Sequence, residues 1–211
     1  MTIVAVANSK GGVGKTTLVT NLAGLFASVG ESVALADLDK QQSSSLWLKL
    51  RPKNIGKISE WKVKDGEPIN FKNECENGVI DTPAGLDGWR LKEILKHCNK
   101  LLVPISPSIF DIHAAKLFLD DLSKNLKSRK VEVGLIGMRV DERTNAANQF
   151  NNFLSTLNYP VISFLRPTQN YVQLSAHGLS LFDIAPGRVS KDLLQWIPIR
   201  QWLFSTDSGK N

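Results

Sequence analysis

Asn8-Ser9-Lys10-Gly11-Gly12-Val13-Gly14-Lys15-Thr16-Thr17 is the stretch on which the reading of this chain turns. The apolar run Ile3 to Ala7 precedes it and an apolar-periodic segment from Leu18 follows, so the expected order is strand, glycine loop, helix. Gly11, Gly12 and Gly14 permit a bend that a Cβ would obstruct, and the N–H groups around Val13 can then face phosphate oxygens. A helix starting near Lys15 points the positive end of its dipole at the same place. Lys15 supplies charge for the β and γ phosphates, the Thr16 hydroxyl suits Mg2+, and Thr17 closes the nucleotide-binding loop.

Working outward, Val33 to Ala36 reads as a second strand delivering Asp37-Leu38-Asp39-Lys40-Gln41 at its carboxyl end, where ligands sit in open parallel sheets. Those two carboxylates either cap the turn before a helix over Ser43 to Leu50 or serve a bound metal. Gly78 to Ile80 is a further strand, ending in Asp81-Thr82-Pro83-Ala84-Gly85. Between them, Ile58 to Val63 reads as an edge strand, with Asp65-Gly66 as a turn. Helices are expected over Gly88 to His97, Phe110 to Leu126 and Asn145 to Leu157, and strands over Leu101 to Ile105, Val131 to Met138 and Val161 to Phe164. This alternation predicts one α/β domain over residues 1–204 with a mostly parallel sheet and helices on both faces, which with the glycine loop makes a P-loop NTPase fold, then a flexible tail over 205–211.

A chain of 211 residues with 42% hydrophobic and 22% charged residues has the composition of a globular domain with one sizeable core. No apolar run is long enough to span a bilayer, and the first strand begins without a charged leader, so a cytoplasmic location is expected. Cys75 and Cys98 stand in no metal-binding spacing and read as incidental thiols. The net charge of +6 favours a polyanionic partner without proving one.

The run KGGVGKTT resembles the deviant Walker A loop of the ParA/MinD family of P-loop ATPases. The usual first glycine of G-x-x-x-x-G-K-[ST] is replaced by Ser9. On charge alone Lys10 is a solvated surface lysine; the resemblance implies that it reaches across a dimer interface to the partner's nucleotide. DLDKQ is similar to the family's second acidic motif, usually DxDPQ, with Lys40 where proline is common. GVIDTPAG resembles the Walker B segment, with Asp81 as its acid. VPISPSIFDIHAAKLFL resembles the segment that lies near the dimer interface in small ParA-type proteins, and Asp111 reads there as a helix N-terminal acid. The loops after the two late strands flank the adenine in the family, which makes Met138, Arg139, Arg166 and Pro167 candidates; otherwise they are surface loop residues.

The resemblance implies ATP and Mg2+ as cofactors and a homodimer in the ATP-bound state. It assigns Lys15 and the loop amides to the phosphates, Thr16 to direct metal contact, Asp37 and Asp81 to the metal's water shell, and Asp39 to the attacking water. Non-specific DNA binding by the dimer, nucleoid association, and weak hydrolysis stimulated by a ParB-like or other adaptor are implied in the same way. The cargo is expected to be a plasmid, with a protein compartment, a chemoreceptor cluster or a MinD-like membrane role as alternatives. Candidate DNA contacts are Arg166, Arg188, Lys191 and Arg200. The apolar density of Ser190 to Phe204 is expected to pack on the sheet rather than on a membrane, with Pro198 interrupting any helix.

Overall fold

Alternation along each strand divides its side chains between two faces of a sheet. In β1 (Thr2–Val6), Ile3 and Ala5 join one core cluster while Val4 and Val6 join the other. The same sorting recurs in β2 (Val33–Asp37), where Ala34 and Ala36 face the first cluster and Val33 and Leu35 the second. Both faces are therefore covered. The computed structural model describes residues 1–205 except 64–66, 68, 72–74, 87 and 127–128. The expected Asp65-Gly66 turn and the tail from residue 206 lie outside the described residues.

The remaining strands are β3 (Ser59–Glu60), β4 (Asn77–Asp81), β5 (Lys100–Ile105), β6 (Glu132–Met138) and β7 (Val161–Leu165). They form a seven-stranded sheet in the order β3-β2-β4-β1-β5-β6-β7, with every described pairing parallel. On one face lie α3 (Gly88–His97), α4 (Ile109–Leu126) and α5 (Asn145–Ser155), contributing Leu91, Phe118 and Phe150 to the core. On the other lie α1 (Lys15–Ser28), α2 (Ser43–Leu50) and, after a short α6 (Asn170–Ser175), α7 (Ser190–Phe204), contributing Leu22, Trp47 and Trp196. The single α/β domain with a parallel sheet is as expected.

Register places the site. Asp37 pairs with Asp81 across β2 and β4, and Val6 pairs with Asp81 across β1 and β4. Both carboxylates thus reach the carboxyl edge at one level, beside the strand that feeds the glycine loop. Because β1 lies between β4 and β5, that edge opens where the connections diverge, the usual position of a ligand crevice in such sheets.

Three local expectations are corrected. The strand expected over Ile58 to Val63 shrinks to Ser59–Glu60, opposite Ala34 and Leu35. Trp61 then donates its backbone N–H to Leu35 O at 2.8 Å and turns its ring against Phe71, ending the strand. α6 forms beyond Pro167, where the sequence suggests only a loop. Pro198 does not interrupt α7: the bond it cannot make would have ended on the carbonyl of Leu194, a residue 64% exposed on the solvent side. Packing on the sheet holds for Trp196, Ile199 and Leu203, whereas Leu194, Ile197 and Phe204 remain exposed. Among the described residues, no helix is long and apolar enough to cross a membrane.

Candidate functional site

The glycine loop is shaped by backbone that side chains tolerate poorly. Gly12 and Gly14 have φ of 75° and 100°, and a Cβ on Gly14 would stand 2.6 Å from Met138 Cε. Nothing lies within 4 Å of the corresponding position on Gly12, so the cradle is open there. Asn8, fully buried, braces the loop: its Nδ2 donates to Pro104 O at 2.8 Å and its Oδ1 accepts from Lys10 N at 3.0 Å. Gly85 N–H donates to Ser9 O at 2.6 Å, tying the loop to the segment after β4.

α1 begins at Lys15, whose side chain is buried. Its Nζ donates to Lys10 O at 3.0 Å and to Asn8 O at 3.4 Å, crossing the inside of the loop. Burial lowers the Lys15 pKa, while the charges of Asp81 and Asp39 act to raise it. Thr16 Oγ1 donates to Asp81 Oδ2 at 2.9 Å. The other carboxylate oxygen, Asp81 Oδ1, is buried with no hydrogen-bond partner among the described residues. Burial, with the Asp37 charge second, pushes Asp81 up to about 7, against the Thr16 and Ser44 hydroxyls and Lys15. Ser44, near enough to favour the ionised carboxylate, closes no hydrogen bond with it.

An orphaned carboxylate oxygen beside a threonine hydroxyl at a helix start is an arrangement in want of a cation. Among the described residues, no three His, Cys, Asp or Glu side chains cluster to hold a metal. The donor set therefore fits Mg2+, which takes one or two protein oxygens and completes its shell with water and phosphate.

Asp37 is committed to the backbone as well: its Oδ1 accepts from Asp39 N at 3.1 Å and its Oδ2 from Ser45 N at 2.8 Å. It thus orders the turn and the start of α2 while its carboxylate faces Asp81. Asp39 Oδ1 accepts from Gln41 N at 2.9 Å, and Gln42, left-handed at φ 51°, donates its side-chain amide to the carbonyls of Asp37 and Asp39. These bonds brace the turn, and Lys40 is exposed.

The second loop lysine is placed apart from the first. Lys10 forms an ion pair with Asp111, in the first turn of α4. In the sequence Asp111 carries only the signature of a helix-terminal acid, with no signal of this partner. Asn8 and Ser44 were also missed; a polar residue directly before a glycine loop was the available hint for Asn8.

Among the adenine candidates, Met138 and Arg139 do reach the loop. Met138 packs against Gly14, and Arg139, left-handed at φ 56°, donates to Gly12 O at 3.1 Å. Arg166 instead pairs with the fully buried Asp192 at 2.6 Å, locking the β7 loop to α7, and Pro167 is exposed beside it. That pairing offsets the charge of Arg166, whose side chain remains 37% exposed. Arg188, Lys191 and Arg200 are all exposed. Cys98 is buried, its thiol pushed up to about 12 by desolvation.

The sequence profile of the CobQ/CobB/MinD/ParA nucleotide binding domain matches residues 4–181. The maintenance of carboxysome distribution protein A of Halothiobacillus neapolitanus is 27% identical over 202 residues, covering 92% of this chain and 93% of that one. Among solved structures, a Borrelia burgdorferi B31 protein assigned to plasmid partition and bound to AMPPNP superposes with a TM-score of 0.74 at 18% identity, covering 95% of this chain and 99% of that one. MinD of Pyrococcus horikoshii OT3 complexed with Mg-ADP gives 0.75 at 16% identity, covering 100% and 99%. At these identities the two structures establish a shared fold.

Proposed function

The chain belongs to the CobQ/CobB/MinD/ParA nucleotide-binding family, and from that premise we propose that it is a Mg2+-dependent ATPase that dimerises on ATP and positions a cellular cargo through non-specific DNA binding. The observation that carries this reading is the separation of the two loop lysines: Lys15 is buried across the phosphate cradle, while Lys10 stands at the rim on Asp111. One serves the chain's own nucleotide; the other is available to a partner's.

Lys15 leaves the carbonyls of Asn8 and Lys10 to meet the β and γ phosphates, joined by the inward amides of Gly11 to Thr17. Thr16 would ligate the metal, and Asp37 and Asp81 would hold its waters. Mg2+, when bound, neutralises phosphate charge during transfer. Asp39, at the end of the braced turn, orients the attacking water. Lys10 of each subunit, released from Asp111, stabilises charge on the partner's phosphates, which makes turnover depend on dimerisation. Met138, against Gly14, and Arg139, on Gly12 O, are the adenine candidates beside the loop.

The exposed cations Arg188, Lys191 and Arg200, with a net charge of +6, support contact with DNA phosphates. The carboxysome-distribution relative, matching over nearly its whole length, supports a protein compartment as the cargo. A plasmid is the second reading, supported by the Borrelia structure. In either case an adaptor on the cargo, ParB-like or otherwise, stimulates hydrolysis and releases the ATPase from the nucleoid. The test is anisotropy of a mixed-sequence duplex with Asp39→Ala protein, which should retain ATP. Binding should require Mg-ATP, ignore sequence and weaken steeply with salt; salt-insensitive binding, or none with ATP, would reject the DNA-based reading.

A further inference from the structure

Between Arg166 and Ser205 the chain carries only two carboxylates, Asp183 and Asp192. Both are turned inward. Asp183 accepts from Arg51 Nη2 at 2.7 Å and Nη1 at 2.9 Å, and Asp192 takes Arg166 and Asn170. The outer surface of this segment is left with Arg188, Lys191 and Arg200, exposed and without an ion pair among the described residues.

Arg200 stands at the end of a groove of about 490 Å³ whose walls are Phe182, Pro186, Leu193, Leu194, Trp196 and Ile197. Arg188 and Lys191 lie outside its lining but directly follow Gly187 and Ser190, which line it. Its floor is rigid: Phe182 and Trp196 pack edge to face with centroids 5.5 Å apart, and Trp196 Nε1 donates to Tyr171 Oη at 3.0 Å. The indole is thereby satisfied and offers only carbon to the groove. Leu194 and Ile197, 64% and 47% exposed, stand adjacent at a three-residue step, and Arg200 follows at the next.

We propose that this groove seats an acidic amphipathic helix of a partner protein. The apolar walls take a row of aliphatic side chains, Arg200 takes a carboxylate at the groove's end, and the exposed Arg188 and Lys191, next in the chain to its lining, favour an acidic partner. The other occupants fit less of the surface. DNA phosphates would use the cations but leave Leu194 and Ile197 against a polyanion. A flat bilayer would not fill a concavity. A second copy of this chain, docking the same face about a two-fold axis, would oppose cation to cation. Because Arg188, Lys191 and Arg200 are also the proposed DNA contacts, the helix and DNA exclude one another; only this consequence rests on that reading.

The test uses the full chain, without nucleotide or DNA, and a panel of fluorescein-labelled helical peptides with leucines at i, i+3, i+4 and i+7 among glutamates, each with a scrambled control. Anisotropy should show salt-weakened binding of at least one amphipathic member and not of its scramble. Leu194→Asp and Ile197→Asp, at exposed positions, should each weaken binding about tenfold with an unchanged melting temperature, and Arg200→Glu should do likewise. The proposal is overturned if no member binds, if scrambles bind equally, or if Leu194→Asp binds like wild type. Binding of phosphatidylserine vesicles that depends on Leu194 while every peptide fails would also overturn it, in favour of a membrane surface. Loss of duplex binding in the Arg200→Glu variant with peptide binding intact would overturn it in favour of DNA alone.

Discussion

Asp111→Asn should tighten the ATP-bound dimer. In the isolated chain the Lys10 ammonium is held by Asp111, so the pair must open before Lys10 can serve a partner's phosphates, and its free energy opposes assembly once per subunit. The Lys10 side chain is 39% exposed and that of Asp111 13%, which places the pair near the surface class, worth about 0.5–1 kcal/mol. Two such pairs per dimer give about 1–2 kcal/mol, or roughly a 5–30-fold lower dimer dissociation constant. Sedimentation velocity over a range of loading concentrations in Mg-ATP, in an Asp39→Ala background so that nucleotide persists, reads this directly. In a Lys10→Ala background the Asp111→Asn change should add nothing. A dimer of unchanged or weaker affinity, or an equal gain when Lys10 is absent, would refute the reasoning.

Three further outcomes follow from particular contacts. Asp81 in the folded, metal-free chain is pushed up from 3.8 to about 7, so the folded state keeps a proton that the unfolded chain releases, and stability falls as pH rises from about 4 to 7. Thermal melts in EDTA should therefore show wild type losing stability relative to Asp81→Asn across that window; parallel curves would contradict the burial of Asp81. Asp183→Ala leaves the Arg51 guanidinium, only 4% exposed, without its carboxylate and should cost about 3–5 kcal/mol in urea unfolding, partly recovered by Arg51→Met; a loss below about 1 kcal/mol would count against it. Gly14→Ala forces a Cβ into φ 100° and should cost about 1–2 kcal/mol and weaken ATP binding. Adding Met138→Ala should not rescue it, because the strain lies in the backbone rather than in the flexible methyl it meets.

The strand-end chemistry was legible because each part is local. Glycines, a lysine and a threonine between an apolar run and a helix announce their own geometry, and strands ending in Asp37 and Asp81 bring both acids to one edge once the sheet is parallel. What escaped depends on distant residues. Nothing near Asp111 announces Lys10, and nothing near Arg166 announces that the buried Asp192 will take its charge. The Ile58 to Val63 run has strand composition, yet Trp61 has a better place in the core than on an edge. Pro198 reads as a helix breaker until the exposure of Leu194 shows that the missing bond faces water.

The central claim, that catalysis is completed by a second subunit, is tested most directly by steady-state ATP turnover per chain as protein concentration is raised through the dimer dissociation constant, for wild type and Lys10→Ala. Wild-type turnover per chain should rise with concentration to a plateau, while Lys10→Ala, still binding ATP through Lys15, should stay low throughout. A wild-type rate per chain that is independent of concentration, or a Lys10→Ala curve that matches wild type, would contradict it.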